Sequence, residues 1–248
     1  MYGLVRQQNR GTLDRPDVRS IHLGPMHMST KSGSRREPPQ VLEVLYLMDP
    51  HCGWCFGYSA TATELAQRYE GDPRVSLEVV TGGLFYPAIQ GSAELAEEKR
   101  PIAARIERHF GVTFSDLYFE RVLAAPRLDS YPSCALINAA GVRNRADQFG
   151  VTAELTRAAF SHGVDISRLD LAAGVLSDRG YELDEMVGLA ESPKVEQMTR
   201  RSFALAREIA AGFPSVFVRT NATPKRIGGV GSGVGALSAA IEAELSAA

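Results

Sequence analysis

Cysteine is scarce in this chain: 248 residues contain three. That odd, low count excludes a secreted scaffold stapled by disulfides. A cationic excess is also missing, since the formal net charge is −2. The chain therefore lacks the basic footprint that nucleic acid or an anionic membrane surface requires. No apolar run approaches the roughly 20 residues that cross a bilayer. Hydrophobic and charged shares of 44% and 23% belong to an ordinary globular protein. The length suffices for one domain, or for a domain carrying a large insertion.

The first 40 residues lack the apolar core of a secretory signal. Arg6, Arg10, Arg15 and Arg19 hint at a mitochondrial presequence, but Asp14, Asp17 and two prolines spoil its acid-poor amphipathic helix. The expectation for 1–40 is a disordered extension, or a start assigned too early, ahead of Met26 or Met28. A reducing, cytoplasmic compartment is the expectation for the whole chain.

Order is expected to begin after Pro38-Pro39. VLEVLYLM (41–48) reads as a buried strand, broken at Asp49-Pro50. A helical pattern follows from Trp54 to Tyr69, and VSLEVV (75–80) reads as a second strand. Strand, helix and strand in that order make a βαβ unit with parallel strands. From 91 to 192 the signals are helical: Ile102, Ile106 and Phe110 sit four apart, and Pro132 opens a further helix. This block reads as a helical insertion with its own small core. Ser192-Pro193 supplies a cap and a first-turn proline for the next helix. PSVFVRT (214–220) and KRIGGV (225–230) predict an antiparallel hairpin with the second strand at the edge, and ALSAAIEAEL (236–245) a closing helix. GGVGSGVG (228–235) lies too near the C-terminus for a dinucleotide-binding unit and reads as a strand-to-helix turn.

Two of the three cysteines stand together in DPHCGWCFGY (49–58). A structural zinc site needs four ligands. Here there is one pair, a remote Cys134, and five histidines with none at ligand spacing, so no metal is expected. The alternative is redox chemistry. The pair follows a strand and opens a helix, which puts Cys52 at the helix N-terminus and Cys55 one turn on. Unpaired N–H groups and the positive end of the helix dipole favour a thiolate there. Such positions commonly bring a cysteine pKa to about 3.5–7.5. Cys52 is then the exposed nucleophile, and Cys55, more buried, resolves the mixed disulfide. Cys134 reads as a small buried hydrophobe.

Four stretches in order, DPHCGWCFGY, VVTGGLF (79–85), YPSCALINAA (131–140) and GFPSVFV (212–218), resemble the DsbA branch of the thioredoxin superfamily, in its cytosolic-type disulfide-isomerase subgroup. The resemblance runs from about 41 to the C-terminus. It implies an α/β fold: a thioredoxin-like domain from 41–90 and 193–248, interrupted by an all-helical insertion over 91–192. It implies thiol–disulfide exchange through the CGWC pair on protein or small-molecule disulfides. A thiol serves as electron donor or acceptor, and no cofactor is needed beyond the Cys52–Cys55 disulfide. It also gives Pro214 a cis bond facing the cysteines, with the Phe213 backbone and Trp54 lining the substrate groove.

Two departures matter. The position six before the first cysteine, where relatives often carry a buried acid that moves protons for the second, is Tyr46; the proton route for Cys55 is thus unassigned, with Asp49 the acid nearest in sequence. Inside the CxxC, where strong oxidants and isomerases often place histidine, stands Trp54. His51 lies just outside and is the candidate for tuning the thiolate. The enzymatic rival is a glutathione-dependent isomerase or transferase of the same fold, whose members tend to carry serine at the first position. A rival of another class is a non-catalytic peptide-binding module, with Trp54, Phe56 and Phe85 forming an apolar groove.

Overall fold

The computed structural model describes residues 41–209, 212–220 and 223–247. The expected extension over 1–40 lies outside them. The sheet is built around strand β1 (Leu42–Met48), parallel to β2 (Val75–Thr81) on one side and antiparallel to β3 (Ser215–Arg219) on the other. Strand β4 (Lys225–Gly229) pairs antiparallel with β3, giving the order β2-β1-β3-β4. Both faces of β1 are covered, which is why it reads as a continuous apolar run. Leu42, Val44, Tyr46 and Met48 enter the main core, while Leu45 and Leu47 pack with Val80, Ala206 and Phe217 in a second cluster.

The βα connection after β1 leads into helix α1 (Gly53–Arg68), and β2 is followed by α2 (Ala93–Phe110), capped by Ser92 and ended by Gly111 at φ 71°. A π-helical segment (Tyr118–Leu123) then precedes α3 (Tyr131–Arg143), α4 (Asp147–His162), α5 (Leu169–Gly174) and α6 (Leu183–Ala190). Helix α7 (Pro193–Ile209) returns the chain to the sheet, and α8 (Val234–Ala247) closes it. The Ser192 hydroxyl caps α7 by accepting from Val195 N–H at 3.3 Å.

One expectation is corrected. The helical block has no separate core, because its apolar residues join those of β1 and α1 in one continuous cluster. The reason is aromatic contact across the boundary: Phe149 of α4 stacks on Tyr46 of β1 at 5.9 Å, and Phe160 stacks on Phe56 of α1 at 5.0 Å. Burying each such ring is worth roughly 1.5–3 kcal/mol. These contacts pack the block against β1 and the first turn of α1.

Candidate active site: a cysteine pair at a helix start

Asp49-Pro50 stops β1, and the turn that follows closes with Cys52 N–H on Asp49 O at 3.0 Å. Cys52 is the N-cap of α1, with extended backbone and no side chain capping the helix. The first N–H groups of α1 are therefore left without a side-chain partner at the end where Cys52 sits. Its Sγ lies 3.7 Å from the carbonyl oxygen of Phe213, and the expected exposure is corrected: that close approach leaves the residue only 9% exposed. Cys55 is one turn on and 1% exposed. Burial pushes its thiol well above the ordinary value, and the neighbouring Cys52 sulfur pushes it further. All three cysteines are free thiols.

The Phe213–Pro214 bond is cis. The segment 212–215 is pinned by the Ser215 hydroxyl, which donates to Gly212 O at 2.8 Å. The Phe213 ring sits directly on Gly82: a Cβ there would lie 2.0 Å from its Cζ. Gly83 follows at φ 69°, and a Cβ on it would meet the Phe203 ring at 2.9 Å. The two glycines of VVTGGLF thus allow a close approach and a left-handed turn, and they deliver Leu84 to the site.

What Leu84 reaches is Asp49. Its N–H donates to Asp49 Oδ2 at 2.7 Å, while His51 N–H and the Ser130 hydroxyl donate to Oδ1 at 2.9 and 3.0 Å. The Cys134 thiol of α3 stands 3.9 Å from Oδ2. One buried carboxylate therefore joins three of the four quoted stretches. Cys134 is fully buried, and its thiol is pushed well above the ordinary value, first by burial and then by the Asp49 charge.

His51 is buried against Phe85, edge to face at 5.5 Å, with Nε2 3.4 Å from the Ser167 hydroxyl. Burial lowers its pKa, although Asp49, Asp165 and Asp129 pull the other way. The ring is therefore neutral near pH 7, and what it brings to Cys52 is a held turn. Trp54 is half-buried on the α2 side, edge-on to His109 and Phe110 and about 6.0 Å beneath Arg105. Tyr46 is buried beside the pair with its hydroxyl unpartnered among the described residues. Burial first, then the Cys55 and Cys52 charges, push its phenol well up, so it is no base for Cys55. The apolar groove of the binding-module reading is corrected: Phe56 is only 6% exposed and lies between Phe114 and Phe160 in the core.

Cys52, Cys55 and the Phe213–Pro214 bond come together here, whereas Trp54 packs on the α2 side. Ser130, Gly82 and Leu84 were not singled out in the sequence. Their signals were present in two unexplained motifs, VVTGGLF and YPSC. Among the described residues no cluster of His, Cys, Asp or Glu could hold a metal ion, and no helix is long and apolar enough to cross a membrane.

Neither protein-family models nor curated proteins match this chain. Solved structures do. A proposed protein disulfide isomerase from Nitrosomonas europaea aligns at TM-score 0.71 and 20% identity, over 84% of this chain and 98% of its own. The cytosolic disulfide reductase DsbM from Pseudomonas aeruginosa aligns at TM-score 0.67 and 22% identity, over 83% and 100%, and it has also been solved with GSH. A 2-hydroxychromene-2-carboxylate isomerase aligns at 0.55 and 15%, over 81% and 94%. This chain has the DsbA-like thioredoxin fold, with its helical insertion. At these identities the likeness concerns the fold.

Proposed function

We propose that the protein is a thiol–disulfide oxidoreductase working through Cys52 and Cys55. The observation that carries this is the placement of Cys52 at the open end of α1, its sulfur 3.7 Å from Phe213 O, with Cys55 buried one turn behind. Cys52 thiolate attacks a substrate disulfide RS–SR′, forming Cys52–S–S–R and releasing R′S⁻, which takes a proton from water. Cys55 then loses its proton and attacks Cys52 Sγ, forming the Cys52–Cys55 disulfide and releasing RS⁻. The protein is oxidised by two electrons and the substrate reduced by two. A thiol donor reverses the change, so no cofactor is required beyond the pair itself.

The raised pKa of Cys55 fits the resolving role. It keeps the second thiol protonated until the mixed disulfide brings a good leaving group within reach. The Phe213 carbonyl suits the N–H of an extended substrate backbone beside the disulfide. Glutathione or a related thiol is the donor this reading favours, since DsbM of the same fold has been solved with GSH. A cytosolic setting is likewise supported by DsbM's description. The burial of Phe56 weighs against the peptide-binding module. The test is insulin reduction with glutathione or dithiothreitol as donor. Catalysed precipitation of the B chain is expected, and a rate no faster than the thiol alone overturns the proposal.

A further inference from the structure

The Asp49 carboxylate is 0% exposed. Its four neighbours are donors: His51 N–H, Leu84 N–H, the Ser130 hydroxyl and the Cys134 thiol. Among the described residues, no Lys or Arg side chain is paired with it. Taking a carboxylate out of water without a cation costs several kcal/mol, offset here only by charge-assisted hydrogen bonds. Donors on both oxygens call for a carboxylate, since an amide accepts on one side only. The carboxylate also brings negative charge, three residues before Cys52 and within electrostatic reach of Cys55.

The other titratable groups around the pair do not supply it. Tyr46 and Tyr118 are buried phenols, Cys134 is a buried thiol, and Tyr58 donates to Ser232 O. His51 is a buried imidazole that also faces Asp165 and Asp129. Asp129, from the helical block, is paired with Arg127. Asp49 is a fully buried carboxylate near the couple that, among the described residues, no cation pairs with.

We propose that Asp49 is a positioning residue for the Cys52–Cys55 couple. Its carboxylate ties the turn carrying Cys52 to Leu84 and to Ser130 of the helical block, and its charge biases the couple towards the disulfide. The physical chain is short. Negative charge beside the pair disfavours thiolate in the reduced state, and a less stable reduced state is a stronger reductant. The inference rests on the reading of Cys52 and Cys55 as a redox couple.

The test is a glutathione redox titration of the full chain across neutral to mildly alkaline pH, with Asp49→Asn and Ser130→Ala beside the parent. Asp49→Asn removes the charge. The couple should become more oxidising by about tenfold in its equilibrium constant with glutathione, roughly 30 mV. The gap should widen as pH rises, because more thiolate is then present to feel the charge. Ser130→Ala keeps the charge but strips one donor from it, so a smaller shift of opposite sign is expected. Unchanged midpoints, or both variants shifting the same way, would overturn the proposal in favour of a purely structural knot. Should Asp49→Asn fail to fold, Ser130→Ala decides alone: a more reducing couple supports the proposal, and no shift or a more oxidising couple defeats it. A parent that never equilibrates with glutathione would instead defeat the redox reading itself.

Discussion

Helices α1 and α3 both begin within a few residues of a cysteine, yet the two sulfurs meet opposite surroundings. Cys52 is the N-cap of α1, before the first helical residue and 9% exposed, and its sulfur faces the Phe213 carbonyl. Cys134 is the fourth residue of α3, fully buried, and its thiol points at the Asp49 carboxylate. The first stands where unpaired N–H groups collect. The second sits a turn inside, its own N–H bonded to Ser130 O at 3.0 Å, beside a negative charge that opposes ionisation. A helix start confers reactivity on a cysteine only at its outermost position, and only when the facing groups do not cancel the effect. Asp49 lies between the two starts and ties the turn before Cys52 to Ser130 and Cys134 at the start of α3.

The largest effect should come from breaking the α1 side. Cys52→Ser should reduce disulfide exchange to the uncatalysed background. Cys55→Ser should instead accumulate mixed disulfides with substrate, visible as mass adducts on Cys52. If Cys134→Ala in a folded protein lost turnover to the same degree, the contrast between the two helix starts would collapse.

A smaller loss should follow from moving the carbonyl that faces Cys52. Gly82→Ala puts a methyl 2.0 Å from the Phe213 ring, which must swing away and carry its backbone with it. Such overpacking costs about 1–3 kcal/mol. Exchange with a protein disulfide should fall by about tenfold, while alkylation of Cys52 by a small reagent stays close to the parent rate. Gly174→Ala is the control, since nothing lies within 4 Å of its added Cβ. Equal exchange rates in the two variants would separate Phe213 from the reaction.

Smaller still is the effect on the α3 side. Cys134→Ala removes a buried thiol and one of the donors on Asp49, so stability should drop by about 1–3 kcal/mol, read from the denaturant midpoint. In the parent, iodoacetamide should label Cys52 under native conditions and reach Cys134 only on unfolding. Native labelling of Cys134 would mean that α3 opens at its first turn.

The local elements were legible because each carries its own signal. β1 is an unbroken apolar run bounded by Asp49-Pro50, α7 opens on Ser192-Pro193, and the β3–β4 hairpin reads from two short strand-like runs close together in sequence. The cysteine pair was legible for the same reason, since its helix start is contiguous in sequence. What Asp49 binds was not, because its partners lie 35, 81 and 85 residues away at Leu84, Ser130 and Cys134, and no periodicity reports such contacts. The shared core was hidden likewise. Phe149 and Phe160 read as part of a helical block, and nothing local says that they stack on Tyr46 and Phe56 of the sheet domain.

His51 offers the finest test of how the two helix starts are joined, since its N–H binds Asp49 while its ring faces Ser167 and Phe85. Burial lowers the imidazole pKa in the native state, with the three aspartates opposing. The unfolded chain, at the ordinary value of about 6.5, therefore takes up a proton that the native ring refuses. Above the unfolded value both states are neutral, and His51 adds nothing to the pH dependence. As pH falls from the unfolded value towards the lowered native one, stability is lost, and below the native value this group causes no further loss. The parent should lose stability more steeply than His51→Gln as pH falls from about 7 towards 5, with the two curves parallel above that window. Denaturant midpoints at a series of pH values measure the difference. Parallel curves throughout would mean that the charges of Asp49, Asp165 and Asp129 balance burial, leaving the native ring to titrate like the unfolded one.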